Sequence, residues 1–210
     1  LRQLSARCFW GQSKFLDQRE DLVRGLFPGF EPAPRPLLFS LFLPERPQGL
    51  LLIENQDSYA NALDGRPAAV RGLALGYGAG FRGSAERIRS PGGSRLHFSG
   101  GAPPATLRSF VDWWFSQEPA PWPLWFWGDL DFAGMAILKA LRQRFPGMRA
   151  WEPGYAPLLA TLRAGGGHPL AAAGKEGQSD LGDTGCAYAD RELLPALRAS
   201  EAGIDQEWLD

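Results

Sequence analysis

Asp129 and Asp131 stand two residues apart just after the apolar run Leu124-Trp125-Phe126-Trp127, and Glu54 ends the run Leu50-Leu51-Leu52-Ile53. Residues at i and i+2 of an extended segment point to one face, so both aspartates can present their carboxylates together. If the strand ending in Glu54 lies beside the one leading to Asp129, three carboxylates converge with no His or Cys among them. That donor set favours a hard divalent ion, Mg²⁺ or Mn²⁺, over zinc. Such an ion clamps phosphoryl oxygens, activates water for attack on a phosphodiester and neutralises the leaving oxygen. The three carboxylates are therefore expected within common reach of one ion. Each also has a plainer reading. Asp131 directly precedes a helical pattern and can cap it. Glu54 can be the first exposed residue after a buried strand, paired with an arginine. Asp-x-Asp also occurs in nucleotide-sugar transferases and in phosphatases with an aspartyl nucleophile. What favours the metal reading is the repetition of apolar strand, acid and helix.

The elements that would carry these acids follow from periodicity. Phe15, Leu16, Leu22, Val23, Leu26 and Phe27 fall near a helical repeat, which predicts a helix over about 14–27 that Pro28-Gly29 stops. Pro36 to Pro44 reads as a short buried strand, and residues 50–54 as a central strand with both faces covered. A helix is expected over about 57–64, and a strand over 70–75 that ends at Gly76-Tyr77-Gly78. Residues 79–105 read as a long loop, with Thr106 capping a helix to about Gln117. Residues 124–127 form a third buried strand, 132–145 an amphipathic helix ended by Pro146-Gly147, and 148–151 a short fourth strand. The tail carries a Gly-rich loop and one or two helices. Strand and helix alternating at crossover spacing predict an α/β fold, a mostly parallel sheet with helices on both faces. Ligands of such sheets bind beyond the carboxyl ends of the strands, where both acidic clusters fall.

Charge is uneven although the net value is −1. Residues 66–108 hold seven Arg against Glu86 alone, whereas 176–210 hold nine acids against two Arg. Arg82, Arg87, Arg89 and Arg95 fall in the long loop and could track a nucleic-acid backbone; a chance excess on a solvated surface is the alternative. His97 and His168 lack partners at ligand spacing and read as structural or surface residues, and the eight Trp read mainly as core. The longest nearly apolar run, residues 36–44, is far short of the roughly 18–20 residues that cross a bilayer, so no membrane association is expected. Cys8 and Cys186 are too far apart in sequence for a zinc pattern and fit a reducing cytoplasm. The first residue is Leu1, and the chain reads as beginning inside a longer protein.

LLIEN within 50–55, GYG at 76–78 and WGDLDFAGMAIL at 127–138 resemble the Toprim domain. More narrowly, FWGQSKFLD at 9–17, GDLDFAG at 128–134 and DQEWL at 205–209 resemble the C-terminal part of JetD, the nuclease subunit family of Wadjet plasmid-defence systems, itself similar to the topoisomerase VI A subunit. The resemblance implies a Toprim-like catalytic domain over 47–210, with an acidic C-terminal tail, and an N-terminal helix and lead-in strand over 1–46. It implies DNA cleavage with Mg²⁺ or Mn²⁺, Glu54 being general base or metal ligand and Asp129 and Asp131 metal ligands. Glu207 would add a further acidic ligand, or else is a surface Glu of an acidic tail. Lys14 matches the family's Ser-Lys pair and would contact phosphate; an ordinary lysine at a helix start is the alternative. The implied partners are double-stranded, circular plasmid DNA, SMC or condensin-like subunits and a second copy of the chain. Tyr59, Tyr77, Tyr155 and Tyr188 lie in no recognisable winged-helix domain, which favours hydrolysis over covalent strand passage. The rival readings are a non-catalytic DNA-binding or scaffolding subunit, a topoisomerase VI A-like cleaving protein and an Asp-x-Asp sugar transferase. The last has no need of Glu54.

Overall fold

The computed structural model describes residues 1–17, 19–29, 36–65, 67–78, 87–116, 118–170 and 178–209. The chain divides into two compact units, Leu1–Arg35 and Pro36–Asp210. In the first, α1 (Arg2–Cys8) and α2 (Glu20–Leu26) flank a turn-rich stretch, so the helix expected over 14–27 covers only its second half. Arg2 Nε donates to Asp17 Oδ2 at 2.8 Å, Ser5 Oγ donates to the Gln12 carbonyl at 2.6 Å, and Phe9 stacks on Phe15. These contacts hold residues 9–17 without a regular helix. Lys14 is exposed in this stretch.

The second unit is built on six strands: β1 (Leu37–Phe42), β2 (Gly49–Ile53), β3 (Leu73–Gly78), β4 (Ser94–Ser99), β5 (Leu124–Trp127) and β6 (Arg149–Ala150), in the order β4-β1-β3-β2-β5-β6. All pairings are parallel except β1 with β3, so the α/β reading with a mostly parallel sheet holds. The helices α3 (Gln56–Gly65), α4 (Pro104–Phe115), α5 (Phe132–Arg144), α6 (Glu152–Arg163) and α7 (Leu194–Ser200) flank it. Every residue of β2 is buried, as its unbroken apolar run requires of a covered central strand. The lead-in strand, grouped with the N-terminal part in the 1–46 division, is β1 of this sheet.

Two expectations are corrected here. The long loop contains β4, whose Ser-Arg-Leu-His-Phe-Ser alternates its burial and pairs in register with β1. Helix α4 starts at Pro104 after Pro103, with no side-chain cap, so Thr106 lies inside it; proline supplies the fixed φ of a first turn and needs no donor there. The tail adds a two-stranded pair, β7 (His168–Pro169) with β8 (Ala202–Gly203), a π-helical turn at Ala189–Leu193 leading into α7, and a 3₁₀ turn at Gln206–Leu209. Phe110, Trp113, Trp114, Trp122 and Phe145 make one ring cluster, the packing role expected of the tryptophans.

Candidate active site at the β2–β5 switch point

Along the chain, β2 is followed on one side by β3 and, later, on the other by β5 and β6. The crevice at the carboxyl ends of β2 and β5 is therefore the topological switch point of the sheet, where α/β folds bind ligands. The Glu54 N–H donates to the Trp127 carbonyl at 2.9 Å and extends the β2–β5 ladder one residue past Ile53. Its carboxylate lies against Gly128: a Cβ at 128 would sit 2.3 Å from Glu54 Oε2. A side chain there would have to displace the Glu54 carboxylate, and glycine leaves the acid of β2 beside the residue that precedes Asp129.

Two helices begin directly after these acids, each with its own cap. Asn55 Oδ1 accepts the N–H groups of Asp57 at 2.7 Å and Ser58 at 3.0 Å, which starts α3. Asp131 is the N-cap of α5 and is 1% exposed; its Oδ1 accepts the Gly134 N–H at 2.7 Å, and its Oδ2 accepts from Gln178 Nε2 at 2.9 Å. The capping reading of Asp131 is thus observed. Gly134 is the second glycine the site demands, because a Cβ there would lie 2.2 Å from the Asp129 carbonyl oxygen. Gly134→Ala is expected to destabilise the protein by about 1–3 kcal/mol through this overpacking. The check is a melting curve, with about 2–4 °C lost per kcal/mol; an unchanged Tm would show that the turn yields freely.

The chain's last described stretch ties the two strand ends together. Leu130 and Ile204 exchange N–H to carbonyl bonds at 2.9 and 3.0 Å, which lays residues 202–204 along the Asp-x-Asp segment. The Gln206 N–H then donates to Asp129 Oδ1 at 2.9 Å, and Gln206 Oε1 accepts the Asn55 N–H at 3.2 Å. Gln206 is 0% exposed, so these bonds form away from water and fix the spacing between the Glu54-Asn55 turn and Asp129. Asn55 Nδ2 donates to Glu207 Oε1, which brings the exposed Glu207 to the rim of the same crevice. Beside Gln206, Asp205 Oδ1 lies 3.2 Å from His168 Nε2, a contact in the C-terminal strap.

Tyr155, fully buried on α6, accepts the Gly128 N–H at 3.0 Å. Burial pushes its phenol well above the ordinary tyrosine value, and Glu54, Asp129 and Asp131 all raise it further. One hydroxyl thus feels all three carboxylates, which gathers them electrostatically around the end of β5. The proton stays on Tyr155 at neutral pH, so this tyrosine supports the site as a hydrogen-bonding group. Tyr155→Phe removes the acceptor of a buried N–H and is expected to cost about 1–3 kcal/mol in stability, measured by urea unfolding. A midpoint equal to that of the native chain would mean the Gly128 amide finds another partner.

An all-oxygen donor set fits a hard cation chemically. Geometrically, among the described residues no three His, Cys, Asp or Glu side chains are grouped as a ready ion cage. Glu54 packs against Gly128, the residue before Asp129, whereas both Asp131 oxygens accept hydrogen bonds at the start of α5.

The basic residues separate. Arg87 and Arg95 are exposed at and before β4, an edge strand three positions from β2 and so about 14 Å across the sheet. Arg89 is corrected: it is 2% exposed, and its guanidinium donates to the carbonyls of Trp113, Trp114, Glu118 and Arg144, which places it in the core and not on a phosphate-tracking face. Arg82 lies outside the described residues. His97 is exposed on β4, and Tyr77 packs on Tyr59.

Fold and site together define a class: a mostly parallel α/β domain with acidic groups at its switch point. Comparison with protein families gives the particular one. The family described as "Wadjet protein JetD, C-terminal" matches residues 40–151, more than half of the chain, and the chain belongs to that family. The matched segment contains Glu54, Asp129 and Asp131 but not Lys14 or Glu207. No curated protein matches the chain.

Proposed function

We propose that this chain is the catalytic domain of a Toprim-type, metal-dependent DNA endonuclease in a Wadjet plasmid-defence system. The observation that carries the reading is the Glu54 carboxylate packed against Gly128, the residue before Asp129, at the switch point, within a chain of the JetD family. Mg²⁺ or Mn²⁺ bound there would supply charge neutralisation on phosphoryl oxygens and on the leaving oxygen. Glu54 and Asp129 would hold the ion, with Glu54 able instead to accept the proton of the attacking water. Glu207 at the crevice rim is a further acidic donor, held near Glu54 through Asn55. Asp131 fixes the first turn of α5 and would add negative charge beside the ion without itself holding it. Exposed Arg87, Arg95 and Lys14 are the cations offered to double-stranded plasmid DNA. SMC or condensin-like subunits, a second copy of the chain and a cytoplasmic setting belong to the same proposal. Among the described residues no helix is long and apolar enough to cross a membrane, and both cysteines are free thiols.

The test is cleavage of supercoiled plasmid with Mg²⁺ or Mn²⁺, with and without SMC partners. Metal-dependent nicking or linearisation supports the reading; no cleavage in the presence of the partners overturns it. One observation favours a second reading. Both oxygens of Asp131 accept hydrogen bonds within the protein, as they would in a non-catalytic DNA-binding or scaffolding subunit that kept the fold. That subunit would bind DNA equally with and without metal and would never cut it.

A further inference from the structure

Beside β6, toward the amino end of β5, a cleft of about 810 Å³ is lined by Trp125, Arg142, Arg149, Trp151, Tyr188 and Arg191. Its three guanidiniums come from three elements: α5, β6 and the π-helical turn. None is neutralised by a carboxylate among the described residues, where the arginine ion pairs are those of Arg2, Arg24, Arg163 and Arg198. Each is held by a neutral group instead. Arg142 donates to the Met148 carbonyl, Arg149 lies over the Trp125 ring at 5.7 Å, and Arg191 Nε donates to the Ala187 carbonyl at 3.1 Å. Among the described residues Glu152 is the one acid in the lining.

Arg191 joins Arg142 and Arg149 here although it belongs to the acidic segment 176–210. The π-helical turn carrying Arg191 is an independent sign, because such turns are rare and recur at functional sites. Guanidiniums whose forks are not spent on carboxylates suit phosphate oxygens, and tryptophan and tyrosine rings suit a base. The lining includes none of the three acids, and Trp125 precedes Asp129 by four residues, at most about 13 Å of extended chain.

We propose that this cleft binds phosphate groups that carry a nucleoside, either a free nucleotide or a phosphate of a nucleic-acid strand. The experiment is done in EDTA, so that no metal bridges phosphate to Glu54 and Asp129 and the outcome is independent of the nuclease reading. Inorganic pyrophosphate is titrated into the 210-residue chain by calorimetry, and a fluorescein-labelled single-stranded oligonucleotide is followed by anisotropy. Arg149→Gln and Arg191→Gln, both at exposed positions, are each expected to weaken pyrophosphate binding about tenfold, whereas Arg46→Gln, exposed and outside the lining, leaves it unchanged. Oligonucleotide binding that is displaced by pyrophosphate and weakened by the same two variants assigns the site to a strand. Pyrophosphate binding that the variants weaken, with oligonucleotide binding indifferent to both, assigns it to a free nucleotide. If neither ligand's affinity responds to Arg149→Gln or Arg191→Gln, the proposal is overturned.

Discussion

Under the proposed endonuclease function, Glu54→Gln and Asp129→Asn are each expected to lower the rate of plasmid cleavage by on the order of 10²–10⁴-fold, the range typical of a lost acid–base or charge-stabilising group. Both changes keep size and remove charge. The amide introduced by Glu54→Gln still fits the space against Gly128, and the one introduced by Asp129→Asn can keep an oxygen toward the Gln206 N–H, so folding is preserved. Asp131→Asn separates the roles. Asparagine caps a helix as well as aspartate does, so α5 should start normally. Its effect on cleavage should be the smaller one, about 10–100-fold, of a residue that orients ligands. Single-turnover nicking of supercoiled plasmid by the three variants, with melting curves as the folding control, reads this order. Equal rates for native chain, Glu54→Gln and Asp129→Asn would remove the acids from catalysis. A loss for Asp131→Asn as large as for Asp129→Asn would make Asp131 a ligand.

Arg89→Ala should have the largest effect on stability. The guanidinium donates to four carbonyls, two of them in the last turn of α4 and one at the end of α5, where helix dipoles favour a cation. Its plane also lies 5.1 Å from the Trp113 ring and 5.2 Å from that of Phe145. Burial presses its pKa down, a sign of how much desolvation the four bonds offset. Removing it strands those carbonyls among aromatic rings and is expected to cost about 3–5 kcal/mol, a Tm drop on the order of 10 °C. Arg89→Lys should recover little, because one ammonium cannot span carbonyls that a planar fork reaches. Calorimetric melting decides it: a Tm within about 2 °C of the native value for Arg89→Ala would show that water takes over the carbonyls.

Glu54 was legible because it directly follows an unbroken apolar run, and Asp129 and Asp131 because they come within four residues of the end of another; buried parallel strands leave that signature. The order of the strands was not written locally. That β2 and β5 are neighbours depends on long-range pairing, and the antiparallel β1–β3 contact has no sequence mark. β4 was hidden by the Gly, Pro and Arg around it, although Leu96 and Phe98 do alternate. Arg89 looked like its neighbours Arg87 and Arg95 because charge says nothing of depth. Asn55 and Gln206 lay inside the quoted motifs LLIEN and DQEWL, yet their roles appear only when segments with sequence separations of 151 and 77 residues meet. Tyr155 carried no local signal, since its hydroxyl is defined by the Gly128 amide of another element.

The tie made by Gln206 has a temporal side during synthesis. Asp129 leaves the ribosome 77 residues before the amide that holds it, an interval of about 4–15 s at ordinary elongation rates. Through that interval the turn after β2 and the segment after β5 are joined by the Glu54 N–H to Trp127 carbonyl bond but lack the second tie through Gln206, so a nascent chain carries Asp129 without the amide that holds its carboxylate. The last bonds at the two strand ends are thereby deferred until the strap itself has been made.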